Sequence, residues 1–456
     1  MGRIRNLFSR EYLPFSFMLA VNCGFLILAF IIDKPAEVIS GFYRISTSRS
    51  ILVTDYIAIG GIGATLLNVA IVGISGVFML NRLGVKPNGP NIMALWMSIG
   101  FAFFGKNVFN MLPLTFGVWL FAKYSRASFS KYYLSALLAA TLTPTVSEIA
   151  FLGMFSRPVE ITSGIMMGFA VGFVFPAVSA DSLKIHGGFN LYNMGFAGGL
   201  VATILATLFR SMGIDIVPAN IWSQGNNTFF AVLLYAISFA MILFGIISGL
   251  MGIHHHDAAP GHPKVVSSGK NPWDNPWENL KKTFKGFRNI HYHPGRLATD
   301  FYVMYDNSIY LNMAILCIFS TTVVLALGAE LNGPAMAGIL TMTGFGSLGK
   351  HIKNVGPVVC GAVISAFVNR WDPAAPLNIV AILFSSGLAP IAGAFGPIWG
   401  IVAGFLHVNI AMYISNLNAG LNLYNNGFAA AFVAMFLLPI ITIFKRDSYF
   451  KTDKYR

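Results

Sequence analysis

From residue 13 to residue 32 the chain carries no charged side chain, and apolar stretches of similar length recur almost to its end. A helix needs about 20 mostly apolar residues to cross the hydrocarbon core of a bilayer. Such runs lie near 13–33, 56–80, 133–153, 163–181, 189–210, 228–252, 306–328, 377–393, 395–415 and 420–444. Two more, 91–122 and 335–368, are interrupted by Gly, Pro, Lys and Asn. Each reads as two short segments meeting at a polar joint, an arrangement tolerated at membrane depth only inside protein or beside a water-filled cavity. The pattern predicts an all-α polytopic membrane protein of about 10–14 membrane segments, some of them broken or re-entrant.

Charged residues make up 10% of the chain, against roughly 25% in soluble domains. That excludes a soluble enzyme, a disordered chain and a coiled coil. The net charge of +13 does not point to nucleic acid, because the basic residues cluster between and beside apolar runs, the positive-inside arrangement. Arg3, Arg5 and Arg10, the linker residues Lys264, Lys270, Lys281, Lys282, Lys285, Arg288 and Arg296, and the tail from Lys445 place the N-terminus, linker and C-terminus in the cytoplasm of a multi-pass cell-membrane protein. The segment 211–227 has no Lys or Arg and is expected outside. Cys23, Cys317 and Cys360 read as small core residues.

Self-similarity is the second constraint. Asn88-Gly89-Pro90 recurs as Asn332-Gly333-Pro334, and at the same shift of 244 Gly105-Lys106, Asn110, Pro113 and Gly117 match Gly349-Lys350, Asn354, Pro357 and Gly361. Later the shift is 232: Gly164, Gly168 and Gly172 match Gly396, Gly400 and Gly404, and residues 188–202 match 420–434 at ten of fifteen positions. The expected organisation is 1–53, an N-terminal helix and external loop; 54–210, repeat 1; 211–253, an external loop and connecting helix; 254–298, a basic His/Trp-containing linker; 299–444, repeat 2; and 445–456, a basic tail. Counting crossings from a cytoplasmic N-terminus makes the two repeats inverted. Inverted repeats with broken helices place a solute site near the bilayer midplane.

The candidate site residues follow from the repeated polar groups. Asn190, Tyr192 and Asn193, with their mates Asn422, Tyr424 and Asn425, stand at interrupted helix starts. Their amides and phenols offer donors and acceptors that can replace a small solute's hydration shell. Helix capping and interhelical hydrogen bonding are the other reading. Lys106 and Lys350 follow a Gly in a broken apolar stretch, and charges inside a membrane are functional hypotheses by default. Paired lysines favour an anionic solute, whereas snorkelling to a headgroup is the alternative. Asn107, Asn110 and Asn354 border the same joints. Glu148 is a candidate ion or proton site, and Asp181, His186 and His407 are ambiguous.

Thr54-Asp55 and Thr299-Asp300 read as helix starts, and the glycine ladders as close-packing faces. The tract His254-His255-His256 with His262 is a weak metal candidate. Trp273, Trp277 and residues 280–284 suggest an interfacial amphipathic segment. No motif for a catalytic zinc, phosphate loop, dinucleotide or nucleophile elbow stands out, so no cofactor, no metal site and no enzyme activity are expected.

The broken helix with an Asn/Pro joint, the small-residue helices and the N-L-Y-N-x-G-F-A stretch together resemble each half of the urea transporter family. That family carries a G-Y-N-G-x-L-V-G stretch in each of two inverted halves. The nearest residues here are 192–195 and 424–427, and 106–113 is similar to the family's Q-V-x-x-x-N-N-P stretch. The resemblance spans both repeats and implies a two-unit helical protein with a central pore that moves a small polar solute passively. The repeated lysines have no counterpart in it. The chain also resembles an uncharacterised bacterial membrane family described only as a domain of unknown function.

The expectation is therefore a channel or transporter for a small polar or anionic solute, embedded in a lipid bilayer, with a homo-oligomer left open and no nucleic-acid partner. A membrane-embedded enzyme using Glu148, His186 or the lysines on a lipid-linked substrate is the alternative, and a membrane sensor or scaffold a third reading.

Overall fold

The computed structural model describes residues 7, 9–50, 54–216, 220–252, 275–297, 299–369 and 371–444. The His254-His255-His256 tract, His262, Trp273 and the basic tail lie outside them. The described chain is an all-α polytopic membrane protein: among the described residues, nine helices are long and apolar enough to cross a bilayer.

The first half contains α1 (Leu13–Ile32), α2 (Pro35–Thr47), α3 (Tyr56–Gly60), α4 (Ile62–Arg82), α5 (Gly89–Phe101), α6 (Val108–Tyr124), α7 (Tyr133–Ala139), α8 (Thr143–Ala150), α9 (Arg157–His186) and α10 (Asn193–Ser211). Helix α11 (Asn227–Leu250) leads to the linker, which holds α12 (Pro276–Ile290). The second half contains α13 (Phe301–Tyr305), α14 (Ile309–Ala326), α15 (Gly333–Gly344), α16 (Ile352–Val368), α17 (Pro376–Ser385), α18 (Ala389–Phe395), α19 (Pro397–Asn418) and α20 (Asn425–Phe444).

The two interrupted stretches are broken as expected, into α5 and α6 and into α15 and α16. The run at 377–393 lies within one of those nine spans, Pro376–Phe395, whereas the run at 133–153 does not form one, and neither is a continuous α-helix. Each is interrupted by a 3-10 turn, at Ala140–Leu142 and Ser386–Leu388. The physical reason is Pro144 and Pro390. Each sits at the start of the next helix, where it has no N–H to continue the ladder of the previous one.

Helix ends sort into two layers. At one end Lys86 pairs with Glu11, Gly89 N–H donates to Asp300, and Arg296 donates to the Gly187 carbonyl. The Trp399 and Phe444 rings also meet there. At the other end Gly63 N–H donates to Asp33, Ser223 to Asp55, Gly225 N–H to Glu330 and Arg210 to the Asn416 carbonyl. The start of α1, the linker helix and the end of α20 therefore share one end of the bundle.

The glycine ladders do hold helices close. A Cβ on Gly172 would stand 2.1 Å from the Leu114 carbonyl oxygen, and one on Gly404 1.8 Å from that of Val358. Gly396 is the exception. It precedes α19 with φ +100° and nothing near its missing Cβ, so backbone conformation rather than packing selects glycine there. Cys317 is buried, but Cys360 is exposed on α16 rather than in the core.

Candidate functional site

The polar joints are built the same way in both halves. Gly105 and Gly349, at φ +77° and +84°, turn the chain after α5 and after the 3-10 turn that follows α15. The next residues are Lys106 and Lys350. Asn107 and Asn110 exchange side-chain bonds with each other's backbone N–H at 3.0 and 2.8 Å, a capping box that starts α6. In the second half His351 replaces Asn107, and the Asn354 carbonyl accepts from His351 N–H at 2.9 Å.

The loosened joint carbonyls are satisfied from the preceding helix. Asn68 donates to the Ala102 and Lys106 carbonyls at 2.8 and 2.9 Å, and Asn312 to those of Gly346 and Lys350 at 2.8 and 2.7 Å. This is how a broken helix survives inside a bundle: its freed backbone groups find buried partners.

Contacts between the halves are reciprocal. Gly89 N–H donates to Asp300, and Gly333 N–H to Asp55. Asn190 donates to the Gly427 carbonyl and Asn422 to the Gly195 carbonyl, both at 3.0 Å. Asp55 and Asp300 thus cap α3 and α13, as expected of helix starts, and also bridge the halves.

Tyr192 and Tyr424 face each other at the centre of this contact, their rings 4.7 Å apart. Both are buried, and Phe345, Phe101 and Phe384 pack around them at 5.1 to 5.8 Å. The two N-L-Y-N stretches therefore share one place in the protein, and they are closed against each other there.

Lys350 is fully buried, and its ammonium donates to the Tyr192 hydroxyl and, at 2.8 Å, to Ser386 Oγ. It also stands 4.3 and 4.7 Å from the Tyr192 and Phe345 ring centres. Lys106 is 3% exposed. Neither lysine forms an ion pair among the described residues. The Lys350 side chain ends inside the protein, which does not match snorkelling to a headgroup. The joints lie near opposite ends of α5: Ser347 donates to the Gly89 carbonyl at its start, and Lys106 follows its end. A helix of that length puts them roughly 20 Å apart, with the tyrosine pair between. The lysines flank the pair rather than share one point.

The remaining candidates divide by their partners. Asn110 donates to Gly105 O and Ser147 Oγ, and Asn107 to Ile45 O and the Tyr56 hydroxyl. Asn193 binds Ser182, Ser179 and His186, while Asn425 accepts from Asn418 at 2.6 Å. These amides brace the joints and helix starts. Glu148 is buried on α8 and pairs with Arg49 at 2.5 Å. It lines a mostly apolar cavity of about 170 Å³ with Glu160 and Phe209. Asp181 is exposed and paired with Lys184, and His407 binds Asn426. Glu148, His186 and Lys350 each have separate partners, in Arg49, in Asn193, and in Tyr192 with Ser386.

Sequence reading missed Ser386, Thr141, Arg49 and the aromatic surround. The recurrence of Pro144 and Pro390 marks where Thr141 and Ser386 fall, but the hydroxyls themselves do not repeat. In the linker, α12 is amphipathic: Thr283 and Ile290 are buried, and Trp277 and Phe284 are exposed.

No curated protein and no solved structure matches the chain. Residues 34–211 and 279–443 match the family model described as Protein of unknown function (DUF1576), and the chain belongs to that family.

Proposed function

We propose that the protein is a channel or transporter that moves a small polar or anionic solute through the polar core between two inverted units. The observation that carries this reading is the Lys350 ammonium, fully buried beside the Tyr192–Tyr424 contact with no carboxylate paired to it among the described residues. A buried, uncompensated charge costs several kcal/mol. Such groups persist inside membranes where they serve a pathway.

Reciprocal contacts and joints near opposite ends of α5 support inversion. The shared end of α1, α12 and α20, with its basic linker and tail, supports a cytoplasmic assignment for that end. The closed tyrosine pair is then an occluded gate, and rocking of the units about their shared axis opens it to either side. The urea transporter resemblance agrees with passive movement of a polar solute, and the lysines extend that to anions.

Substituted-cysteine accessibility tests the reading. In a cysteine-free background in lipid vesicles, Thr141→Cys and Ser386→Cys should react with a small hydrophilic thiol reagent despite their burial. Complete protection of both, in folded protein, would remove the pathway.

A further inference from the structure

The two halves of the central site are not equivalent, and their difference indicates where an anion is held. Leu191 N–H donates to the Gly387 carbonyl at 2.9 Å, and Leu423 N–H to the Thr141 carbonyl at 2.8 Å. This pairing aligns Thr141 with Gly387 and Ala140 with Ser386. In the second half, Ser386 supplies a hydroxyl to Lys350, and Gly387 admits the Tyr192 ring, whose Cδ2 lies 2.3 Å from where a Cβ would stand. In the first half Ala140 has no hydroxyl, and Thr141 occupies the place of the glycine.

The consequence is an open set of donors. The Tyr424 and Thr141 hydroxyls, on residues each 1% exposed, have no hydrogen-bond partner among the described residues. The Lys106 ammonium likewise has no hydrogen bond or ion pair among the described residues. The backbone nevertheless matches the other half. Phe101 packs on Tyr424 at 5.5 Å, as Phe345 packs on Tyr192 at 5.1 Å. Gly105, next to Lys106, lies against Leu423, next to Tyr424. Buried polar atoms without partners are uncommon and call for a ligand or a water.

We infer that Lys106, Tyr424 and Thr141 form the binding subsite for the solute's anionic group, a small oxyanion of the carboxylate class, while the Lys350 half is satisfied by the protein itself. This rests on the transport reading above and makes it asymmetric. A carboxylate accepts from an ammonium and two hydroxyls at once, which is the donor set left over. The Lys350 half holds the same donors in bonds to one another.

The test is binding of formate and acetate, with acetamide as the neutral counterpart, to purified protein in detergent, read by thermal shift and calorimetry. Lys106→Gln should weaken acetate binding by about tenfold or more and Tyr424→Phe by about threefold to tenfold, as expected for charged and neutral hydrogen bonds. Tyr192→Phe should weaken acetate binding less than Tyr424→Phe does, because its hydroxyl is already bonded to Lys350. Acetamide binding should change little in any variant. Should Lys106→Gln fail to fold, Tyr424→Phe with Thr141→Val reads the same subsite without touching the charge. Equal losses from the two halves would overturn the asymmetry and leave transport standing. Wild-type flux of acetamide or urea without any formate or acetate binding would overturn the oxyanion subsite, again leaving transport standing. Absence of flux for neutral and anionic solutes alike would sink both.

Discussion

Asn190 and Asn422 cross-tie the two halves: each donates its amide across the interface to a glycine carbonyl beside the other N-L-Y-N stretch. Each also accepts from the N–H two residues on, that of Tyr192 at 2.9 Å and of Tyr424 at 3.1 Å. The asparagines thus fix the backbone that presents the tyrosines, and the tyrosines face the core.

Asn190→Ala or Asn422→Ala should therefore act first on stability. Each leaves the buried N–H of Tyr192 or Tyr424 unbonded, at about 1–3 kcal/mol, and removes one tie across the interface. Thermal unfolding in detergent should shift down clearly for both, with flux falling in step with folded protein. Unshifted unfolding with lost flux would make them ligand groups.

Gly172→Ala and Gly404→Ala should be among the most damaging small substitutions, because the new methyl would overlap a backbone oxygen of the packed helix. Gly24→Ala in α1 meets nothing within 4 Å and should be neutral or slightly stabilising, since alanine is the better helix former. Expression and unfolding temperature of the three variants, compared side by side, check this.

Arg49→Ala leaves the buried Glu148 carboxylate without its partner, while Glu148→Gln removes the charge that needs one. The guanidinium side is 44% exposed, so the single Arg49→Ala loss is discounted to about 1–3 kcal/mol. The double variant should recover part of it. Additive losses in a double-mutant cycle would deny the coupling.

Sidedness follows from the two layers of helix ends. Cysteines placed at Gln224 and at Lys282, both exposed, should label from opposite faces of the membrane, Lys282 from the cytoplasm. Labelling of both from one face contradicts the arrangement.

Much of the fold was legible because membrane helices are long and uniformly apolar, and the broken pairs α5–α6 and α15–α16 showed through their repeated Gly-Lys and Asn/Pro joints. The second pair of breaks was hidden, since a single Pro in an apolar run reads as a tolerated residue until the helix end is seen. The lysines and tyrosines were visible as repeated polar residues. Their partners were not: Ser386 and Thr141 stand where the two halves differ, and Ser386 meets Lys350 across 36 positions of chain and Tyr192 across 194. The Arg49–Glu148 pair was not legible either, because its two residues lie 99 positions apart and nothing near Arg49 signals Glu148.

The central claim is a pathway for small polar or anionic solutes past the buried lysines. Its most direct test is flux of acetate and acetamide into proteoliposomes holding wild type, Lys106→Gln or Lys350→Gln at matched, folded protein. The account predicts that wild type passes acetate, that Lys106→Gln lowers the acetate-to-acetamide ratio by about tenfold, and that Lys350→Gln lowers it less. An unchanged ratio in both variants would contradict it.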